Sequence, residues 1–274
     1  QAAQATAAGA VPGGGPVLDV PATRDEIAAL ARTMNELLER LRTAVARERA
    51  FVADAGHELR TPLSILRTEL ELAARPGRTR EELSEAIRSA AEETDRLARL
   101  AEGLLLLARE QDERFLHRER VGVRAVLEAS IAGLQVRAQD RQARITLDVG
   151  PRDLTATWDE DLMRQVLANL IDNALRHGPR HGTIRVSAAG FAGRVVLRVE
   201  DNGPGFPDDF LPRAFERFSR ADAARGSADG GAGLGLAIVD LIVRAHGGRV
   251  QAGNRPEGGA VVTAEIPEPA PPQM

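Results

Sequence analysis

Apolar positions in the first third of the chain recur in steps of three and four. Ile27, Leu30, Met34, Leu37 and Leu41 form one such seam with arginine and glutamate around it, the pattern of a helix that buries one stripe against a partner helix. Val52, Leu59, Leu63, Leu66 and Leu70 carry the rhythm on, so the helix is expected to reach about residue 75, where Arg75-Pro76-Gly77-Arg78 supplies a turn. Leu83, Ile87, Ala90, Thr94, Leu97, Ala101 and Leu104 repeat the same steps, and Thr79 followed by Glu82 is a capping-box signature at their start. Two such helices make a hairpin that cannot bury a full core alone. Pairing with a second copy into a dimeric four-helix bundle is the economical solution.

The rhythm then changes. Residues 111–120 are charged and without period, a linker by composition, and from residue 121 helix and strand alternate. A helix is expected over 123–137, strands over 145–149 and 154–158, a helix over 159–177 and a strand hairpin of 183–189 with 194–200. A glycine-rich stretch, a helix over 234–245 and two closing strands follow. The fold class is therefore α followed by α+β: a helical hairpin pairing into a bundle, then an α/β sandwich with its helices on one face of a mixed sheet. The Ala-, Gly- and Pro-rich residues 1–17 and the proline-rich 268–274 are expected to be a loosely ordered leader and tail.

Composition narrows the chemistry only a little. At 274 residues and 43% hydrophobic content the chain has room for two cores, and its longest apolar runs, such as Leu104 to Ala108, fall far short of the roughly 20 residues that cross a bilayer. With no cysteine, disulfide and thiol chemistry are excluded and any metal must use nitrogen or oxygen ligands. The net charge of -4 argues against a nucleic-acid binder. Every basic residue is arginine, which reads as base-composition bias.

Two groups of residues carry candidate chemistry. The first is Phe51-Val52-Ala53-Asp54-Ala55-Gly56-His57-Glu58-Leu59-Arg60-Thr61-Pro62-Leu63, in which His57, Arg60 and Thr61 lie three and four apart and so share one helical face. An isolated His-Glu pair is most often a surface histidine beside a carboxylate, and context has to decide. The second group supplies it. Asn169, Asn173, Arg176 and His177 step along one face of the 159–177 helix. Asp201-Asn202-Gly203-Pro204-Gly205 is an acidic turn whose glycines let backbone approach a flat ligand. Arg213 to Arg220 is an aromatic stretch containing Phe215 and Phe218. Gly230-Gly231-Ala232-Gly233-Leu234-Gly235-Leu236 opens a helix at which phosphates can sit.

Taken in this order, the boxes resemble those of bacterial sensor histidine kinases. The His57 stretch is similar to their phospho-acceptor box, and the later boxes to an ATP-binding domain shared with a wider ATPase superfamily. Leu18 to Ile27 and the seam that follows resemble the end of a HAMP linker, giving residues 18–46 as partial HAMP, 47–110 as the dimerisation and phosphotransfer domain and 121–267 as the catalytic domain. The resemblance implies the following roles. His57 accepts the phosphoryl group, Glu58 orients and polarises its ring, and Thr61 positions water for dephosphorylating a partner. ATP and Mg²⁺ are the cofactors: Asn169 and Asn173 hold the metal or its waters, and Arg176 and His177 approach phosphate, with Arg-His a mild departure from the family's usual lysine and aromatic. Asp201 reads the adenine amine, Gly203 and Gly205 shape its pocket, Phe218 anchors a mobile lid over 208–229, and Gly231, Gly233, Leu234, Gly235 and Leu236 meet the triphosphate. It further implies a homodimer, a response regulator as partner, no nucleic acid, and a cytoplasmic position attached to the inner membrane through segments upstream. An ATP-driven clamp of the same superfamily is a rival that the His57 box argues against. A non-catalytic signal-relay coiled coil is a second, which the four intact nucleotide boxes disfavour.

Overall fold

The computed structural model describes residues 18, 26–108, 116–221 and 232–268. The chain divides into two compact units, residues 1–57 and 58–274. Helix α1 is Glu26–Ala73, with Pro62 inside it, and helix α2 is Arg80–Ala108. The capping box forms as the spacing predicts: Thr79 N–H donates to Glu82 Oε2 at 3.0 Å, and Glu82 N–H donates to Thr79 Oγ1 at 3.2 Å, which satisfies two donors the helix start would otherwise orphan. Ser89 Oγ donates to Glu69 Oε1 at 2.6 Å and ties the two helices together across the hairpin. Ile27, Leu30, Met34, Leu37 and Leu41 lie exposed on α1, and Leu83 and Ile87 on α2. Among the described residues no helix is long and apolar enough to cross a membrane.

The second part is built on strands β1 (Glu119–Gly122), β2 (Arg144–Gly150), β3 (Thr155–Trp158), β4 (Thr183–Phe191), β5 (Arg194–Asp201), β6 (Arg249–Asn254) and β7 (Ala260–Pro267). Its helices are α3 (Val123–Gly133), α4 (Gln135–Asp140), α5 (Glu160–His177) and α6 (Gly235–Ala245). Five strands form one sheet in the order β2-β4-β5-β7-β6, parallel between β2 and β4 and antiparallel elsewhere. Alternate residues of three neighbouring strands face the helices and are buried, Ile184, Val186 and Ala188 on β4, Val195, Leu197 and Val199 on β5, and Ala260, Val262, Ala264 and Ile266 on β7. This one-sided alternation is what a sheet covered on a single face requires. Trp158, Leu127, Met163, Leu167 and Ile171 are fully buried between sheet and helices, each contributing about 1.5–3 kcal/mol by leaving water.

Three expectations are corrected. Glu119 and Arg120, assigned to the 111–120 linker, are the first residues of β1, which pairs with β3 in a separate two-stranded sheet. Their side chains stay in solvent while Val121 alone is buried, so a four-residue edge strand reads as charged linker. The single helix over 123–137 is two helices, because Leu134 has φ -107° and ψ 4°, outside the helical range, directly after Gly133. The segment expected as a mobile lid begins packed: Phe210 and Ala214 are buried and Leu211–Arg213 is a 3₁₀ turn. The leader 1–17, residues 19–25 of the HAMP-like stretch, linker residues 111–115, lid residues 222–229, Gly230, Gly231 and the tail from residue 269 lie outside the described residues.

Candidate active site

Helix α5 carries the asparagine face. Asp159 caps it by accepting from Leu162 N–H at 3.1 Å, and Glu160, Asp161 and Arg176 place charges of the sign that each end of the helix dipole favours. Asp159 is held in turn from both sides: its Oδ2 accepts from His117 N–H at 2.8 Å, and its own N–H donates to His246 Nε2 at 3.0 Å. His246 closes α6, so one hydrogen bond registers the start of α5 against the end of α6. Met163, Val166, Leu167, Leu170, Ile171, Ala174 and Leu175 bury one side of α5. That leaves Asn169, Asn173 and Arg176 half-buried along the other, with His177 at its exposed end.

Two observations test whether a nucleotide and its metal ion fit this face. Asn169 Nδ2 is buried without a hydrogen-bond partner among the described residues, a donor that a phosphate oxygen or metal-bound water satisfies. Gly235, the first residue of α6, would place a Cβ 3.6 Å from Asn169 Oδ1. The N-terminus of α6 therefore meets the asparagine, and it has no side-chain cap, so its first-turn N–H groups suit an anion. Amide oxygens together with phosphates are a donor set appropriate to a hard divalent ion that keeps water.

Arg176 Nε donates to Asp172 Oδ2 at 3.0 Å, and the other oxygen of that carboxylate takes Arg137 Nη1 at 2.9 Å. Desolvation by the surrounding protein, and then the Arg176 charge beside it, holds the His177 imidazole below its ordinary value against the pull of Asp201. His177 is thus neutral near pH 7, and the positive charge of this corner belongs to Arg176.

Asp201 ends β5 buried. Its Oδ1 accepts twice, from Gly203 N–H at 2.8 Å and Ala260 N–H at 3.1 Å, while its carbonyl accepts from Arg255 Nη1 at 3.0 Å. The turn leans on the end of α5, since a Cβ at Gly203 would fall 3.1 Å from the His177 carbonyl oxygen. Gly205 has φ +79°, a conformation that a side chain strains, and a Cβ there would also strike Asn254 Oδ1 at 2.5 Å. Asn254 grips the next residue by both main-chain groups, accepting from Phe206 N–H at 2.7 Å and donating to Phe206 O at 2.8 Å.

The aromatic stretch closes on the glycine stretch. Phe206 and Phe210 stack with centroids 6.0 Å apart. Phe218 adopts φ 59°, rare for a bulky residue, and Gly233 adopts φ 71° against it, where an added Cβ would lie 2.8 Å from Phe218 C and Ser219 O. Leu234 is buried and Leu236 half-buried behind Gly235. The structure thus brings Asn169, Asn173, Arg176, His177, Asp201, Gly203, Gly205, Phe218, Gly233, Leu234, Gly235 and Leu236 into connected elements. On α1, His57 and Thr61 are exposed and Glu58 is half-buried. Sequence reasoning missed Asp172, Arg137 and Asn254. The acid-base spacing of Asp172 and Arg176 along one helix was a legible signal, whereas Asn254 lies 48 residues from Phe206 and gave none.

Comparison with known proteins agrees with this geometry. Residues 47–113 match the His Kinase A (phospho-acceptor) domain, and residues 158–270 match the histidine kinase-, DNA gyrase B- and HSP90-like ATPase family. The signal transduction histidine-protein kinase BaeS of Escherichia coli is 37% identical over 248 residues, covering 90% of this chain and 52% of that protein. The histidine kinase AdeS of Acinetobacter baumannii superposes with a TM-score of 0.63 at 25% identity over 78% of this chain and 98% of that one. ShkA, solved in complex with AMPPNP, superposes with a TM-score of 0.60 at 28% identity over 82% of this chain and 47% of that one. The chain spans about half the length of the curated relatives it matches.

Proposed function

The chain belongs to the sensor histidine kinases of bacterial two-component systems, and from that membership we propose that it moves the γ-phosphoryl group of ATP to His57 and then to an aspartate of a response regulator. One observation carries the nucleotide half of this reading: the first turn of α6, without a side-chain cap among the described residues, opens onto Asn169, whose buried Nδ2 has no partner among them. ATP lies with its adenine amine on Asp201 Oδ2, because the turn and β7 occupy Oδ1. Its triphosphate lies at Gly233 to Leu236. Asn169 and Asn173 hold Mg²⁺ or its waters, and Arg176 supplies positive charge that His177, held neutral, does not. The ion these residues would hold would supply neutralisation of the phosphate charge.

A neutral imidazole nitrogen of His57 attacks the γ-phosphorus. The bond from that phosphorus to the bridging oxygen breaks, a phosphorus-nitrogen bond forms, and ADP leaves. Glu58 accepts the hydrogen bond of the other ring nitrogen and keeps the attacking lone pair available. Most of the rate enhancement comes from positioning and charge neutralisation. Thr61, four residues further along α1, holds the water that later removes phosphate from the regulator.

The exposed seam on α1 and the exposed Leu83 and Ile87 of α2 support a homodimer in which a second copy completes the bundle. The domain division is partial HAMP at 18–46, phosphotransfer at 47–110 and catalysis at 121–267. The assembly works on the cytoplasmic side of the inner membrane through segments upstream, without nucleic acid. Incubation with γ-labelled ATP and Mg²⁺ tests the reading. The chain should take up label that acid removes and alkali leaves, and pass it to a receiver domain. Label lost in alkali would place the phosphate on another residue type.

A further inference from the structure

Resting on that reading of Arg176, we propose that Asp172 is a positioning residue for phosphoryl transfer, fixing the Arg176 guanidinium through Nε while Arg137 fixes the carboxylate from the other side. The three groups form a chain across two elements: Arg137 of α4, then Asp172 and Arg176 one turn apart on α5. Asp172 Oδ1 meets Arg137 Nη1 at 2.9 Å, and Oδ2 meets Arg176 Nε at 3.0 Å. Both oxygens are engaged, so the carboxylate cannot rotate without breaking an ion pair. A guanidinium is planar, with its five N–H donors in a rigid fork. Holding the Nε edge therefore sets the plane in which the terminal N–H groups lie.

The surroundings favour order over solvation. Asp172 and Arg176 side chains retain 23% and 28% exposure, less than an ordinary surface ion pair. Arg99 of α2 stands beside the same group: burial first, then the Arg137 charge, pushes its guanidinium below its ordinary value, with Arg176 acting in the same sense and Asp172 against it. Two guanidinium groups share the Asp172 carboxylate, and the charge of a third, Arg99, is felt beside them. Removing that carboxylate takes away the ion pair that holds Arg176 Nε and leaves the like charge of Arg137 nearby without the anion between them.

The test uses the whole chain, with labelling kinetics at varied Mg²⁺-ATP for wild type, Asp172→Asn, Asp172→Glu, Arg176→Ala and the double variant. Asparagine keeps the size of the side chain and one acceptor oxygen, so the fold is retained, and equal melting temperatures verify that. Asp172→Asn should lower kcat about tenfold, the scale of a misplaced contact near the reaction. KM for ATP should change less than about threefold, since positioning matters most in the transition state. Asp172→Glu should recover part of the loss, and the double variant should be no slower than Arg176→Ala alone. The Nε–H resonance of Arg176 should also move in Asp172→Asn, a readout independent of activity. A normal rate for Asp172→Asn while Arg176→Ala is slow, or losses that simply multiply in the double variant, overturns the proposal. If wild type takes no label, or Arg176→Ala labels at the wild-type rate, the reading of the site itself fails and the positioning role falls with it.

Discussion

Gly103 of α2 and Ile238 of α6 approach so closely that a Cβ added at residue 103 would lie 2.8 Å from Ile238 Cδ1 and 3.8 Å from Leu234 Cδ1. The absence of a side chain at one position of α2 thus lets α6, the helix proposed to meet the triphosphate, pack against it. Leu100, Leu106 and Leu107 are buried around that contact. Gly103→Ala should leave the melting temperature nearly unchanged, because the helix gains about 1 kcal/mol of propensity while the end of a flexible isoleucine moves aside. Gly103→Leu adds more bulk than the gap allows and should cost about 1–3 kcal/mol. Its effect should appear as faster amide hydrogen exchange in the first turns of α6, and unchanged exchange there would contradict the contact.

His246 gives the fold a pH dependence of known sign. The carbonyl of Ile242 can only accept, so Nδ1 carries the proton at 2.8 Å from it, and the Asp159 amide can only donate, so Nε2 is unprotonated at 3.0 Å. Burial is the main reason that the imidazole is held below its ordinary value of 6.5, with the Arg118 charge adding to it and the Ile242 hydrogen bond and Asp159 opposing. The unfolded chain then binds a proton that the folded chain refuses. Stability is complete above the unfolded value near 6.5 and is lost as pH falls from there towards the depressed folded value. His177 titrates in the same sense, so the comparison must be with His246→Asn. Denaturation midpoints of wild type should fall more steeply below pH about 6.5 than those of the variant, by at most about 1.4 kcal/mol per pH unit. Parallel curves would remove His246 as the cause.

Asp201→Asn tests adenine recognition. Two backbone donors already use one oxygen of this carboxylate, and an amide can present its single oxygen to them and keep the turn. The second position then offers N–H groups to an amine that needs an acceptor. ATP binding should weaken by roughly 1.5–3 kcal/mol, the worth of a hydrogen bond to a charged group. Calorimetric titration measures it, and an unchanged affinity moves adenine recognition elsewhere.

What could be read from the sequence were features that repeat or that act over short spacings. The helical periods of α1 and α2 and the Thr79 and Glu82 box are all local; both helices form, and two hydrogen bonds close the box. The hidden features are long-range or too short for a period. β1 has four residues, which is less than periodicity needs. Asp159 and His246 are 87 residues apart, and only the packing of α5 on α6 makes them neighbours. Of the site, the nucleotide boxes were legible as a family pattern. The groups that hold them in place, Asn254 on Phe206 and Arg137 on Asp172, depend on tertiary approach.

Thr61 is expected to separate two activities. It follows His57 by four positions on α1 and is exposed, where a docked regulator can meet its hydroxyl. Thr61→Ala should keep phosphorylation of His57 and slow dephosphorylation of a phosphorylated regulator by at least about tenfold, the size of losing one water-orienting contact. Both rates, taken on one purified variant, decide the matter. If they fall together, or neither changes, Thr61 serves only the helix before Pro62.

Mass mapping of the phosphorylated chain beside its His57→Gln variant decides whether His57 is the acceptor. After incubation with γ-labelled ATP and Mg²⁺, wild type should carry one phosphate on His57. The variant should carry none while binding ATP within about twofold of wild type, because that substitution leaves every residue proposed to bind nucleotide in place. Undiminished label on His57→Gln, or a phosphate mapped to another residue of the wild-type chain, would contradict the account.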